Sequence, residues 1–489
     1  GASRGIGISP ALAGKHIYLM GNNGAAVVME PGRTFKQVAK NKIENVVSIG
    51  HWGERQERFV SNPVFDGKRL YIRGEGHLYA IESGAASASG NAAPQPETPR
   101  PAATPKAEPA AAPAAKSADS DPLPAPYFGW RRNGTGHYPE VTPPTEWSEK
   151  KNITWQAKVG PGTSSPVIAG DRIIVTSEPG TITCVGRTDG KVLWSADLKA
   201  EGPEPKGTPK EYARPTPVTD GKTVFVAYTN GVVASYTLDG KRNWLSKVEP
   251  AKLTYGPSAS PVLAGGKLLV DGARLTALDP SSGKELWKAD VETHYGTPAI
   301  FSLDGTLLAV NSKGAVIRIS DGAVLAKDIA PGLNGDQAPT PLVQGNIVYF
   351  TYSLCSAVKL SMADGKVKAE EVWQEDLPSA IISSPILKDG MLFVIPGSAP
   401  EYRVLDAASG KTLLEKTLEI DPNIYPSLTI AGKYLFLGND KGTMLVLEPG
   451  KEFKQVRMNE LPEGSGASPV FSGSHLFLRG GELLYCIGP

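Results

Sequence analysis

One sequence unit recurs about every 43 residues, and this period constrains the fold more than any other feature. Each unit opens with Ser or Thr, usually followed by Pro and an apolar residue. Two apolar segments joined by a Gly turn come next, then an Asp-Gly-Lys turn and a segment that often holds Trp. Repetition at this period indicates supersecondary units that stack in an array or close into a ring. The positions that open the units are Pro166, Pro217, Pro261, Pro298, Pro341, Pro385, Leu428 and Pro469.

The segments inside a unit have the composition of short β-strands. In the first unit, Asp171–Ser177 and Thr181–Gly186 are rich in β-branched residues and end at Pro-Gly and Asp-Gly turns. Gly 54 and Pro 42 make up about a fifth of the 489 residues, which argues against a helical bundle. Four strands per unit predict an all-β fold, an eight-bladed β-propeller of four-stranded blades.

The ends of the repeat array predict how the ring closes. The last unit, which ends at Leu483–Ile487, has no fourth strand of its own. Segment Asn152–Val159, before the first unit, resembles fourth strands such as Lys191–Asp197. We therefore expect this N-terminal strand to complete the last blade and remove the open sheet edges.

The chain is expected to have three parts. Residues 127–489 hold the complete propeller. Residues 84–126 contain 15 Ala and 10 Pro in 43 positions, so a disordered linker is predicted there. Residues 1–83 repeat features of the C-terminal end, where for example Ala13–Lys15 matches Ala431–Lys433. We interpret them as the last two blades of a second, truncated propeller whose upstream blades are missing from this chain.

One unit carries a motif that points to a family. Ala277–Trp287 reads AxDxxxGKxxW and resembles the docking motif of the PQQ-like β-propeller repeats, a family that includes quinoprotein dehydrogenases and BamB-like factors. Trp130–Gly136 and Pro144–Trp147 resemble the start of secreted bacterial members. The resemblance covers residues 128–489 and the two N-terminal blades, and implies that the motif Trp docks one blade on the next. These tryptophans are Trp155, Trp194, Trp244, Trp287 and Trp373, with Ala326 and Leu414 in their place in two other units.

The motifs of catalysis and metal binding are weak in this sequence. The resemblance implies that a quinone-dependent member would use PQQ, a catalytic Asp, calcium ligands from Glu, Asn and Asp, and often two adjacent cysteines. Here Cys184, Cys355 and Cys486 are far apart, and no carboxylate set maps onto the calcium site. His294 has no second His or Cys at a metal-binding spacing. We therefore expect no catalytic residue, no metal and no cofactor, with PQQ and calcium as the alternative.

Polar and aromatic residues stand just before the innermost strand of several blades. They must lie on one face of the ring, where aromatic side chains with an Arg and an Asp suit a polar ligand or a peptide. Alternatively, they close the channel mouth and satisfy loop backbone groups. The candidate ligand-binding residues are Tyr212, Arg214, Tyr255, His294, Tyr295, Asp336, Gln337 and Tyr425.

Charge and hydropathy exclude several classes of partner. With 51 Lys and Arg against 50 Asp and Glu, nothing drives the chain toward nucleic acid, and no apolar run is long enough for a membrane-spanning helix. The function predicted is a non-catalytic extracytoplasmic scaffold, periplasmic or secreted, that binds a protein partner or a cell-envelope component. An export signal is not present in this chain. The alternatives are a PQQ-dependent oxidoreductase and a sugar-binding envelope sensor.

Overall fold

A computed structural model gives the structure of the protein in two compact units, Gly1–Ala114 and Ala115–Pro489. The predicted linker, residues 84–126, lies outside the described residues. The structure describes residues 11–20, 25–32, 36–43, 47–50, 53–56, 63–66, 69–73, 77–82, 128–198, 201–204, 211–330, 332, 337–396 and 400–489.

The first unit consists of antiparallel sheets. A four-stranded sheet has the order β1-β2-β3-β4, a hairpin joins β5 to β6, and a three-stranded sheet has the order β7-β8-β9. Their inward side chains, Ala26, Ile72 and Tyr79 among them, form one small apolar cluster. The strands are β1 (Ala11–Ala13), β2 (His16–Met20), β3 (Ala25–Met29), β4 (Gln37–Lys42), β5 (Val47–Gly50), β6 (Gly53–Gln56), β7 (Val64–Asp66), β8 (Arg69–Arg73) and β9 (Leu78–Glu82).

The second unit contains eight sheets, which we number as blades in chain order. Blades 1 to 4 are single antiparallel meanders of four strands each. Blade 1 has β12 (Val167–Ala169), β13 (Arg172–Ser177), β14 (Thr181–Gly186) and β15 (Val192–Asp197); blade 2 has β16 (Val218–Thr219), β17 (Thr223–Ala227), β18 (Val232–Thr237) and β19 (Arg242–Lys247); blade 3 has β20 (Val262–Ala264), β21 (Lys267–Asp271), β22 (Leu275–Leu278) and β23 (Glu285–Ala289); blade 4 has β24 (Ala299–Leu303), β25 (Thr306–Val310), β26 (Val316–Arg318) and β27 (Val324–Ala326).

Blades 7 and 8 each recruit a strand from the start of the unit. Strand β10 (His137–Tyr138) runs parallel to β36, and β11 (Ile153–Lys158) pairs with β42. Blade 5 has β28 (Leu342–Gln344), β29 (Ile347–Thr351), β30 (Leu354–Ala363) and β31 (Lys366–Asp376); blade 6 has β32 (Ile386–Lys388), β33 (Met391–Val394), β34 (Glu401–Asp406) and β35 (Thr412–Thr417); blade 7 has β36 (Thr429–Ala431), β37 (Tyr434–Gly438), β38 (Thr443–Glu448) and β39 (Lys454–Glu460); blade 8 has β40 (Val470–Ser472), β41 (His475–Gly480) and β42 (Leu483–Ile487).

Burial along each blade follows the position of the strand. The middle strands are buried on both faces because each blade lies between two others; five of the six residues of β13 are buried. The fourth strands, such as β15, alternate between exposed and half-buried residues because they form the rim of the ring. The apolar clusters lie between neighbouring blades, so the core is a series of inter-blade layers.

A chain of hydrogen bonds through the Ser and Thr residues that open the units links the blades around the axis. In seven of the eight positions, the backbone N–H of one residue donates to the hydroxyl of the next over 2.9 to 3.0 Å. The bond from the Ser468 N–H to the Ser165 hydroxyl closes the chain. The link from Thr297 to Thr340 is missing, and among the described residues the Thr340 hydroxyl has no partner. The eight sheets are therefore arranged in a ring. The residues are Ser165, Thr216, Ser260, Thr297, Thr340, Ser384, Ser427 and Ser468.

The N-terminal strand closes the ring, as the sequence predicts. Strand β11 is antiparallel to β42, with Gln156 opposite Tyr485 and Lys158 opposite Leu483. It supplies the fourth strand that blade 8 lacks. The predicted all-β propeller with N-terminal strand closure is confirmed; the interpretation of residues 1–83 as a remnant of a second propeller stays a prediction.

The five motif tryptophans lie at the boundaries between blades. Each ring N–H donates to a backbone carbonyl of the following blade over 2.8 to 3.1 Å; for Trp287 the acceptor is Ile319. Each indole covers the glycine of the next blade's turn. At Gly322 (φ 76°), a Cβ would lie 2.6 Å from the Trp287 ring. The indole ring can therefore pack this closely on the turn only because the turn residue is a glycine without a Cβ atom.

Candidate functional site

The residues before each innermost strand define what we call the front face of the ring, and the turns between first and second strands define its back face. On the front face, Tyr255 is 56% exposed and its ring lies 6.2 Å, centroid to centroid, from that of the buried Tyr295. The Tyr255 backbone N–H donates to the Tyr295 hydroxyl over 3.2 Å. The loop of blade 3 thus presents an aromatic ring fixed on a second ring from blade 4.

Two more predicted residues join this pair. The backbone N–H of Tyr295 donates to the Gln337 carbonyl over 3.2 Å, which links blades 4 and 5. His294 is buried, and its Nε2 lies 3.1 Å from Glu292 Oε1. Gln337 is only 1% exposed, and neither of its side-chain amide atoms has a hydrogen-bond partner among the described residues. The structure therefore brings four of the eight candidates into one group across blades 3 to 5.

The remaining candidates lie elsewhere on the front face. The Arg214 Nε lies 2.7 Å from Glu211 Oε2, so the carboxylate beside this Arg comes from its own loop. Tyr212 is buried in the cluster between blades 1 and 2, and its backbone N–H donates to Glu178 over 2.9 Å. Tyr425, 45% exposed, lies beside Gly466 on the side of blades 7 and 8. Asp336, predicted as a polar anchor, lies outside the described residues.

The buried Arg479 at the junction of blades 8 and 1 was not predicted. Its guanidinium donates to the carbonyls of Thr176 and Gly160, at 2.7 and 2.6 Å, and to the hydroxyls of Ser164 and Ser177. Burial lowers its pKa to about 10. Nothing local in the sequence indicates that the partners of Arg479 come from the other end of the unit.

Asp271, at the end of β21, is a second buried titratable residue that was not predicted. It is 7% exposed, and both carboxylate oxygens lack a hydrogen-bond partner among the described residues. Burial raises the pKa of this carboxyl well above its ordinary value, so its neutral form is favoured. Its spacing in the unit is that of an ordinary strand residue, so the sequence carries no signal for it.

The back face is occupied by residues 128–138, which we call the plug segment. Phe128 exchanges two backbone hydrogen bonds with Thr219 of blade 2, and β10 pairs with β36 of blade 7. From there, the buried Arg131 extends into the channel and donates to the carbonyls of Pro385 and Leu428, just before the innermost strands of blades 6 and 7, at 2.9 and 2.8 Å. Burial lowers the Arg131 pKa to about 9. The plug segment thus spans the back mouth of the channel, beside a cavity of about 100 Å³.

Comparisons with known proteins identify the repeat. The sequence profile of a PQQ-like family, described as outer membrane protein assembly factor BamB, matches residues 145–294 and 229–371. Residues 145–371 thus match the PQQ-like β-propeller repeats. BamB of Moranella endobia is 23% identical over 52% of the chain and 64% of that protein; BamB of Alkalilimnicola ehrlichii is 26% identical over 42% and 51%. The matched part thus spans less than two thirds of these relatives.

Solved structures share the fold of the PQQ-like propeller. BamB from Moraxella catarrhalis has a TM-score of 0.51 at 14% identity, covering 67% of this chain and 94% of its own. Quinohemoprotein alcohol dehydrogenase from Comamonas testosteroni has a TM-score of 0.50 at 12% identity, covering 69% and 76%. Identities this low show the fold alone, because one propeller architecture hosts many activities.

In the described part of the propeller, the side chains do not assemble a calcium site of the kind that accompanies PQQ. Calcium needs six to eight oxygen ligands, several of them carboxylates. Within the described residues, no three His, Cys, Asp or Glu side chains come together in a way that could hold a metal ion. The buried Asp271 is a single carboxylate, and the cysteines Cys184, Cys355 and Cys486 are separate and buried. In the described part of the chain, no helix has the length and apolarity needed to cross a membrane.

Proposed function

We propose that this protein is a non-catalytic scaffold that works outside the cytoplasm and binds a protein of the cell envelope through the front face of its propeller. The observation that carries the proposal is the exposed Tyr255 ring fixed on the buried Tyr295. A rigid, amphipathic ring offers contact area at a low cost in conformational entropy. Tyr425 adds a second exposed ring across the same face.

The back face is less suited to the same role. The plug segment already fills part of its mouth, and its Arg131 extends into the channel, where two backbone carbonyls hold it. A partner on that side would have to displace the Phe128–Thr219 pairing and strand β10. The front face needs no such rearrangement, since Tyr255 is already exposed.

The relatives support the class of partner. The curated relatives are named as outer membrane protein assembly factors, which is a role in handling other proteins. The balanced charge of this chain, net +1, fits a protein partner better than nucleic acid. Because these relatives are named as outer membrane assembly factors, the proposal includes an extracytoplasmic location.

The test compares two double variants, each of which replaces two exposed side chains by Ser. Tyr255→Ser with Tyr425→Ser changes the front face, whereas Val192→Ser with Leu286→Ser changes the rim, where both residues are also about half exposed. We expect the front-face variant to lose at least about tenfold in partner recovery from the envelope fraction, with an unchanged melting temperature. Equal recovery by the two variants contradicts the proposal, as does reduction of a dye by the protein supplied with PQQ and calcium.

A further inference from the structure

The three-stranded sheet of the first unit matches blade 8 of the second unit residue by residue. In β7 and β8, Val64 is opposite Tyr71; in β40 and β41, Val470 is opposite Phe477. The same shift of 406 positions holds for every pair that the two hairpins share, including those of the following strand. The two sheets therefore have the same register.

The four-stranded sheet matches blade 7 in the same way. Tyr18 is opposite Val28, as Phe436 is opposite Val446, with a shift of 418 positions. The β-bulge between the third and fourth strands also falls at equivalent residues in both sheets. The facing sides of the two sheets pack against each other, with the Tyr18 and Phe65 rings 4.7 Å apart.

The outer side of the three-stranded sheet carries exposed apolar side chains. Val64 is 62% and Leu78 is 70% exposed. Their equivalents in blade 8, Val470 and Leu484, are buried in the cluster that includes β11 and the core of blade 1. In the second unit, the first blade of the ring thus covers this side of the sheet, and the closing strand β11 pairs along its edge.

The outer side of the four-stranded sheet is exposed as well. Leu12 is 69% exposed, whereas its equivalent Ile430 is 2% exposed and packs in the cluster shared with blade 6. The two exposed sides belong to different sheets, and they lie on opposite outer sides of the pair of sheets. A two-fold dimer joins like surfaces, so it would cover one side and leave the other in water.

We propose that six further blades of the PQQ-like class cover both exposed sides, so that residues 11–82 form the last two blades of a second eight-bladed ring. On one side, a closing strand pairs antiparallel with β9, with a residue opposite Leu78 as Ala157 is opposite Leu484. On the other side, a blade with the apolar face of blade 6 covers Leu12. Apolar burial on both sides drives the closure.

Six blades of this chain's own second unit can serve as the covering blades in a test. Residues 151–418 comprise β11 and blades 1 to 6, and under the shift of 418 positions Gly1 follows residue 418 without a gap. We would fuse residues 151–418 directly before the full chain and compare this fusion with the full chain alone. The measurements are amide exchange of Leu78–Glu82, binding of the dye ANS, and mass by light scattering.

The expected result is that the amides of Leu78–Glu82 exchange at least about 100-fold more slowly in the fusion than in the chain alone, with loss of ANS binding. Leu78→Asp in the fusion should restore fast exchange, whereas Met458→Asp, at a half-exposed rim position of blade 7, should not. Unchanged exchange in the fusion overturns the proposal. Slow exchange in the chain alone also overturns it: a monomer would show that no cover is needed, and a discrete oligomer would make a second copy the partner.

Discussion

Replacing Trp287 by Ala measures what one tryptophan contributes to docking a blade. The ring is half-buried between blades 3 and 4, covers Gly322 and donates to the Ile319 carbonyl over 3.1 Å. About two thirds of the area that a tryptophan typically buries, about 130 Å², corresponds to about 3 kcal/mol. The lost hydrogen bond adds about 0.5 kcal/mol, because the carbonyl becomes accessible to water. We expect a loss of about 3.5 kcal/mol in the free energy of unfolding.

Two other substitutions in this chain serve as comparisons, one expected to lose more stability than Trp287→Ala and one expected to lose less. Trp373 makes the equivalent contacts at 8% exposure, so Trp373→Ala should cost more, about 4–5 kcal/mol. Leu286 precedes Trp287 but is 49% exposed, so Leu286→Ala should cost less than about 0.5 kcal/mol. The assay is urea denaturation followed by near-ultraviolet circular dichroism. A loss below about 1 kcal/mol for Trp287→Ala, or the reverse order of the two tryptophans, would refute the reasoning.

Three further changes test other parts of the propeller. Gly322→Ala should destabilise by at least about 2 kcal/mol, since it strains a left-handed turn and presses a methyl group into the Trp287 ring, and thermal unfolding measures the loss. The raised pKa of Asp271 means that its contribution to stability is complete below about pH 4 and is lost as the pH rises through the folded pKa. Asp271→Asn should therefore gain on the wild type by up to about 1.4 kcal/mol per pH unit above pH 4, as denaturation from pH 4 to 8 would show. Burial raises the pKa of Cys184 to about 12 and that of Cys486 to about 11, so iodoacetamide at pH 8 should label these thiols only in denaturant; labelling of the native protein would contradict the burial.

The fold was predictable because its signals are local and repeated. Turn glycines, strand composition and the tryptophan of the docking motif recur at one period, so each unit supports the reading of the others. The closing strand was predictable for the same reason, since Ile153–Lys158 has the pattern of a fourth strand. The hydrogen-bond chain through the Ser and Thr residues was visible in the sequence only as the residue that opens each unit, because its formation depends on the distance between blades.

The site was less predictable because its contacts join residues far apart in the sequence. Arg479 binds groups more than 300 positions away, and Arg131 reaches blades 6 and 7 from the start of the unit. Topology predicts that Tyr255 and Tyr295 share a face, yet their exposures of 56% and 8% depend on how the loops pack. The sequence therefore indicates the face but not which of its side chains are accessible.

The central claim is that the front face docks a protein, and photo-crosslinking in living cells tests it most directly. A crosslinking amino acid is placed at Tyr255 on the front face, at Lys222 in an exposed turn of the back face, and at Leu286 on the rim. We expect a discrete crosslinked product from position 255 and none from the other two positions. A product from position 222 or 286, with none from position 255, would contradict it.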